Sequence, residues 1–201
     1  MNESILVAMG LRVKTGKAIA VLLRGPVKSP TVIKRGELLL ADPDEPDTWQ
    51  PYHVVMDLPW KEAQRAALRT TGLIRAAGSE AVGNWAREVR ESGLELCGVG
   101  IVAGSLEDPS KVGNPHIRAH TAEGQLFREA LEMAADSLSL SRYCFVEEKI
   151  YEAGAPELAC SAEALKARVS ELGVAVGRPW RALEKAATAA AWVMLARCAR
   201  K

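Results

Sequence analysis

The feature that most constrains the fold is a nearly continuous apolar run, LELCGVGIVA, over Leu94–Ala103. A strand that is apolar at successive positions is buried on both faces of its sheet. Such strands occur in α/β proteins, where helices cover both faces. The run therefore predicts a central strand in a sheet that is covered by helices.

The first forty residues have the pattern of an antiparallel meander. Two apolar runs, Ser4–Lys14 and Lys17–Arg24, are separated by a short turn with a glycine that can take positive φ. This arrangement predicts a β-hairpin. A third strand is expected over Thr31–Ala41, because the acidic and proline-containing stretch DPDEPD that follows cannot continue a strand.

The rest of the chain alternates helical and strand-like patterns. Apolar residues recur close to a 3.6-residue period from about residue 59 to 93, with a kink or break expected at Thr70–Gly72 or Gly78. Further helices are expected to begin at Thr121, Ser161 and Pro179. A last strand is expected over Arg142–Tyr151. Because helices separate the later strands, these strands need crossover connections and pair in parallel.

The element order thus predicts an α/β fold, a mixed five-stranded sheet covered by helices in a single domain over residues 1–201. Hydrophobic residues make up 48% of the chain and charged residues 25%, which excludes disordered and coiled-coil classes. The net charge of +1 gives no general attraction to nucleic acid or to an anionic membrane. No apolar run approaches the roughly 18 residues of a membrane span, and no secretory signal is visible. We therefore expect a cytoplasmic protein with reduced cysteines.

This order of elements resembles the ribonuclease H-like superfamily, which includes resolvases, integrases, exonucleases and, more distantly, actin-like sugar kinases. The resemblance lies in topology and length, with the hairpin over Ile5–Leu23 as the feature nearest to a motif. It implies an aspartate in the first strand, an acid at the end of the fourth strand and a third acid on the last helix. In the family these acids hold two metal ions that act on a phosphodiester.

Two of these three carboxylates are absent from the sequence. The first strand reads VAMGL over Val7–Leu11, and the fourth ends VAGS with no acid before Glu107. Only Glu184, on the last helix, matches the family pattern. Because a hard divalent cation needs several oxygen ligands, we expect a divergent, non-catalytic member without a cofactor that binds a partner or an anionic ligand.

The alternative is a metal-dependent nuclease or phosphoryl-transfer enzyme whose carboxylates have moved to other positions. Its candidate catalytic residues are Glu123, Glu148, Glu184 and His120, with Mg²⁺ or Mn²⁺ as the cofactor. Whether the chain catalyses any reaction is left open at this point.

The chemically densest stretch is PHIRAHTAEG at residues 115–124. On a helix, its side chains at i, i+4 and i+7 would share one face as metal ligands; they are His116, His120 and Glu123. Pro115 and the cap-like Thr121 predict, however, that the helix begins only after His120, so no metal site is expected. Arg118 with an imidazole is then a candidate for binding a carboxylate or a phosphate. The alternative is a surface loop whose polar residues cap the helix.

A basic hairpin is the second candidate binding surface. Seven basic residues and no acids occur from Ser4 to Gly36, whereas Glu37–Glu62 holds seven acids against one lysine. The residues Arg12, Lys14 and Lys17 are candidates for contact with a nucleic acid or a phosphorylated ligand. The simpler interpretation, which we favour, is that the two oppositely charged segments pair on one solvated surface.

Overall fold

The computed structural model describes residues 5–200 and contains one five-stranded sheet. The strands are β1 (Leu6–Lys14), β2 (Lys17–Arg24), β3 (Thr31–Leu39), β4 (Glu95–Ala103) and β5 (Ser141–Val146). The helices are α1 (Trp60–Ala66), α2 (Leu68–Glu91), α3 (Pro115–Ser137), α4 (Ile150–Gly154), α5 (Ala162–Val176) and α6 (Ala182–Cys198). The predicted start of the first strand, Ser4, lies outside the described residues.

The sheet has the mixed topology that the sequence predicts. Its order is β3-β2-β1-β4-β5; β2 is antiparallel to both β1 and β3, whereas β1, β4 and β5 run in parallel. The β1–β2 turn uses Gly16 at a φ of +70°, a conformation that glycine adopts at little cost. The central strand is β1, where Gly10 lies opposite Gly100 of β4.

Alternation along β1 divides the core into two layers. Odd-numbered residues such as Met9 and Leu11 pack with Ile74 of α2 and Phe127 of α3. On the other face, Ala8 packs against Met194 and Leu195 of α6. Helix α6 is buried along eleven successive residues, 186–196, which explains its run of alanines and its lack of a polar stripe. No helix in the described part of the chain is long and apolar enough to span a membrane.

Several predicted boundaries are wrong. Two differences are small: β3 ends at Leu39 instead of Ala41, and α6 begins at Ala182 instead of Pro179. The three larger differences concern the long helix, the last strand and α3. The long helix is interrupted at Ala67, between α1 and α2, instead of at Thr70–Gly72 or Gly78. The last strand ends at Val146, after which a 3₁₀ turn over Glu147–Lys149 leads into α4. The side chains of Glu147, Glu148 and Lys149 therefore do not point alternately to the two faces of the sheet, as they would on a strand.

The third correction concerns α3, which begins at Pro115 and not after His120. Asn114 is the N-cap, and its side-chain oxygen accepts a hydrogen bond from the amide of Ile117 at 3.0 Å. Proline suits the first helical position because its missing N–H would have no partner there. Thr121 is instead an interior residue whose hydroxyl donates to the carbonyl of Ile117. This earlier start places the whole PHIRAHTAEG stretch on a helix.

Candidate metal centre

The first turns of α3 bring two histidines together. His116 and His120 are four residues apart, so they lie on one face of the helix. Their ring centroids are 4.6 Å apart and the ring planes are nearly perpendicular. Both residues are exposed to solvent.

The third histidine of the chain completes the group. His53, in the turn region before α1, has its ring centroid 5.1 Å from that of His116 and 4.3 Å from that of His120. One ring nitrogen of each histidine lies within 4.8 Å of those of the other two. Among residues 5–200, this is the one group of three or more histidine, cysteine or acidic side chains with such spacing.

A buried carboxylate orients the ring of His53. Glu123 is 2% exposed, and its Oε1 accepts hydrogen bonds from the amides of Tyr52 and His53 at 3.1 Å each. The same oxygen lies 2.8 Å from Nδ1 of His53. Because a carboxylate accepts hydrogen bonds, it favours the tautomer that carries the proton on Nδ1. Nε2 then presents a lone pair, and this atom is buried without a hydrogen-bond partner in the described structure.

The geometry fits one transition-metal ion. Tetrahedral zinc with Zn–N bonds of about 2.0–2.1 Å holds its nitrogens about 3.4 Å apart, so small side-chain rotations would bring the three rings into place. The unpartnered Nε2 of His53 is the kind of buried polar atom that needs an explanation, and a metal ion supplies one. Three protein ligands, two of them exposed, leave a coordination position for water or substrate, as in catalytic zinc sites.

A cleft of about 320 Å³ lies beside His120, at the carboxyl ends of β1 and β4. Its lining includes Arg12, Lys14 and Ser105. Ligands of open α/β sheets gather at this edge. Arg12 is 6% exposed and forms a bidentate ion pair with Glu147, whose Oε1 lies 2.7 Å from Nε of Arg12. Hydrogen bonding to Arg12 lowers the pKa of Glu147, so the pair is ionised at neutral pH.

The remaining residues predicted from the sequence are separated. Glu184 accepts a hydrogen bond from the amide of Arg181 at 3.0 Å and so caps α6. Glu148 is exposed on the turn after β5, and neither carboxylate joins a group of metal-ligand spacing in the described part of the chain. Lys17 forms an ion pair with Glu37 at 2.8 Å. This contact is expected if the basic and acidic segments pair with each other on one solvated surface.

Arg118 and the cysteines occupy other environments. The guanidinium of Arg118 lies 5.8 Å from the ring centroid of Trp60, outside the histidine group. Burial and a hydrogen bond to Glu132 raise the pKa of Cys144 to about 12, and contact with Cys198 raises the pKa of Cys97. Because the thiolate is the reactive form, these two thiols are not activated nucleophiles.

The two-metal carboxylate site implied by the superfamily does not fit this chain. A Cβ on Gly10 would overlap the carbonyl oxygen of Ala187, and one on Gly100 would lie 2.6 Å from the carbonyl oxygen of Ala190. Helix α6 therefore leaves no room for an acidic side chain at Gly10 or Gly100, and the end of β4 carries no carboxylate before Glu107.

Sequence reasoning missed His53 and did not predict the hydrogen bond between Glu123 and His53. Glu123 supports a ligand by hydrogen bonding to His53, 70 residues away. No spacing rule links His53 to the later histidines. The available signal was composition: the chain has three histidines, and all three are in this group.

Scans against protein-family models and against curated proteins give no match. Solved structures do match. The structure of Thermus thermophilus RuvC has a TM-score of 0.52 at 14% identity, with 95% of each chain covered. T. thermophilus RuvC in complex with a Holliday junction substrate has the same score and identity, with 96% of this chain and 95% of that chain covered. A Ppx/GppA family member from Aquifex aeolicus has a TM-score of 0.37 at 12% identity, covering 77% of this chain and 40% of that chain.

At such identities a structural match informs on fold alone. The match to RuvC extends over nearly the whole chain, and the sheet order β3-β2-β1-β4-β5 with helices on both faces is the one that the superfamily resemblance implies. The chain has the ribonuclease H-like fold.

Proposed function

We propose that this chain is a metal-dependent hydrolase that binds one divalent transition-metal ion through His53, His116 and His120. One observation carries the proposal: three imidazole nitrogens lie within 4.8 Å of one another beside a buried carboxylate that orients one of them. A carboxylate–histidine–metal arrangement of this kind is a recurring support for bound zinc.

The donor set favours zinc over the magnesium or manganese expected for relocated carboxylates. Imidazole nitrogen suits Zn²⁺ and its neighbours in the first transition row, whereas Mg²⁺ requires oxygen ligands. A zinc ion held by His53, His116 and His120 would lower the pKa of a coordinated water, and the chemistry that it would supply is activation of this water as a nucleophile near neutral pH.

The cleft beside His120 supports an anionic substrate. Lys14 and Ser105 provide an ammonium group and a hydroxyl at its wall, and Arg12 adds a buried guanidinium whose charge is largely balanced by Glu147. Cationic and hydroxyl groups recognise phosphoryl oxygens. A phosphate ester is therefore the substrate class proposed, with a nucleic acid or a phosphorylated small molecule as its source.

Calorimetric titration of the metal-free chain with Zn²⁺ tests the metal centre. We expect one ion per chain, and a loss of affinity in His53→Ala, His116→Ala and His120→Ala. Ile117→Ala is the matched control, because this side chain is 54% exposed on the same turn of α3. Equal zinc affinity in the triple-alanine variant and the wild-type chain would contradict the proposal.

Hydrolysis is tested separately with p-nitrophenyl phosphate and bis(p-nitrophenyl) phosphate. Turnover is expected in the zinc-loaded chain, and it should be absent from the metal-free chain and from His120→Ala. Lys14→Ala is expected to raise KM more than it lowers kcat, because Lys14 would contact the substrate oxyanion without being a metal ligand.

The second candidate function is non-catalytic binding of an anionic ligand in the same cleft, favoured by the exposed Lys14. It predicts that zinc-loaded protein binds inorganic phosphate or a short oligonucleotide but hydrolyses neither ester. Lys14→Ala would then weaken binding, whereas Lys28→Ala, an exposed lysine away from the cleft lining, would not.

A further inference from the structure

A second, smaller cleft of about 220 Å³ lies between α1, α2, α3 and the loop that follows β4. It is separate from the cleft beside His120, and the two share no lining residue. Its charged side chains come from three elements: Arg75 of α2, Asp108 of the loop and Glu129 of α3. Tyr52 and Trp60 form an aromatic wall, with ring centroids 5.4 Å apart.

Arg75 has an unused hydrogen-bonding capacity at this cleft. Its Nε is buried and has no hydrogen-bond partner, and among the described residues its guanidinium forms no ion pair. The Nε–H of the half-buried Arg75 has left water without gaining an acceptor, which is unfavourable for this edge of the guanidinium. A carboxylate that occupies the cleft would accept two parallel hydrogen bonds from such an edge.

The two acidic residues at the cleft, Asp108 and Glu129, would take a cation as their partner, whereas Arg75 would take an anion. One oxygen of Asp108 accepts a hydrogen bond from the amide of Ser110, and one oxygen of Glu129 accepts a hydrogen bond from Gln125. Hydrogen bonds from Ser110 lower the pKa of Asp108, which keeps it charged. Neither carboxylate is paired with Arg75. Oε1 of Glu129 lies 4.0 Å from Nη2 of Arg128, a long contact that leaves Oε2 of Glu129 for a ligand cation.

From these three charges we infer that the cleft binds a basic α-amino acid of the lysine or arginine type. One guanidinium and two carboxylates match one ligand carboxylate and two ligand cations. The α-carboxylate would contact Arg75, the two cations would contact Asp108 and Glu129, and the aliphatic stem would pack against Tyr52 and Trp60. A cleft of this size is below the range of about 300–1,000 Å³ for drug-sized ligands and suits a small molecule.

Calorimetry on the metal-free chain tests this inference independently of the proposed metal centre. The probes are L-lysine and L-arginine, with three analogues of lysine that each lack one charge. L-Lysinamide lacks the carboxylate, ε-aminocaproic acid lacks the α-ammonium group and L-norleucine lacks the side-chain cation. We expect at least one of the two amino acids to bind, and each analogue to bind more weakly than L-lysine by about ten- to a hundredfold.

Variants at the cleft complete the test. Arg75→Gln is expected to weaken binding to a similar extent, whereas Arg87→Gln, exposed on the same helix, should leave it unchanged. Ser110→Trp adds bulk from an exposed loop position that lines the cleft, so it should block binding even if Arg75→Gln fails to fold. No heat with either amino acid, equal binding of L-lysinamide, or full binding by Ser110→Trp would overturn the inference.

Discussion

Two glycines determine how closely α6 approaches the sheet. The side of Gly10 and Gly100 that would carry a Cβ faces the backbone of α6 directly. This close approach lets the alanines of α6 pack against β1 and β4. It also means that neither Gly10 nor Gly100 could be replaced by a carboxylate without displacing the backbone of α6.

Gly10→Ala is expected to destabilise the fold by several kcal/mol, on the order of 3 or more, because the new methyl group overlaps a backbone carbonyl that cannot rotate away. Urea unfolding monitored by circular dichroism measures the effect. Gly72→Ala is the control: no atom lies within 4 Å of the new Cβ on α2, so this change should be neutral or stabilising by up to about 1 kcal/mol. Similar losses in both variants would contradict the packing account.

Glu123 orients the ring of His53 through a hydrogen bond at Nδ1. Glu123→Gln keeps the shape of the side chain but removes the negative charge that accepts from Nδ1 of His53. We expect zinc affinity to fall by about ten- to a hundredfold in a calorimetric titration, the usual effect of losing such a partner. Glu129→Gln, on the same helix but without contact to His53, should retain wild-type affinity.

At the scale of elements, the start of α3 decides whether the metal centre exists. A helix that began after His120 would leave His116 on a loop, and the two rings would not share a face. The N-cap is Asn114, seven residues before the predicted cap at Thr121. Asparagine and threonine are both residue types that cap helices, so residue type alone did not exclude the earlier start.

Asn114→Ala is expected to cost about 1 kcal/mol in unfolding free energy, because the amide of Ile117 loses its acceptor. Fraying of the first turn should also weaken zinc binding through His116. Asn114→Asp keeps a capping oxygen, so it should retain both the unfolding free energy and the zinc affinity of the wild-type chain. Thermal unfolding and zinc titration of the same two variants check the coupling. Restored stability without restored zinc affinity would show that the cap does not position His116.

At the scale of the whole molecule, ion pairs join segments that are distant in sequence. Arg12, at the end of the central strand, pairs with Glu147, 135 residues later. Arg197 near the end of α6 donates to Glu157 at 2.6 Å, which ties this helix to the turn after α4. The first pair holds the turn after β5 against the central strand, and the second pair holds α6 against the turn after α4.

The Arg12–Glu147 pair predicts a pH dependence. Hydrogen bonding to Arg12 lowers the pKa of Glu147 in the folded state, so its contribution is present above the ordinary glutamate range and is lost as the pH falls through the lowered value. We expect urea-unfolding stability to fall as the pH drops below the ordinary glutamate range, and to fall less steeply in Glu147→Gln.

The same variant should be less stable at pH 7 by about 1–3 kcal/mol, because Arg12 is buried and would lose its charged partner. The value should be near the lower end, since Glu147 is about a third exposed (36%). Glu148→Gln, next to it and exposed, serves as the control. An unchanged pH slope in Glu147→Gln would contradict the assignment.

Local patterns in the sequence predicted the element order, the mixed sheet and a strand covered on both faces at Leu94–Ala103. These properties depend on periodicity and turn chemistry, which act between residues close in the chain. The start of α3 and the end of β5 were predicted wrongly, because residue types that suit a cap or a strand also occur where the chain does not use them in that way.

The side chains that form the metal centre and the second cleft are brought together only by long-range packing. His53 meets His116 and His120 because the turn before α1 packs against α3 through Glu123, a contact between residues 70 positions apart. Arg75, Asp108 and Glu129 converge on one cleft for the same reason. Such long-range contacts depend on how whole elements pack, and no short-range pattern in a single sequence records them.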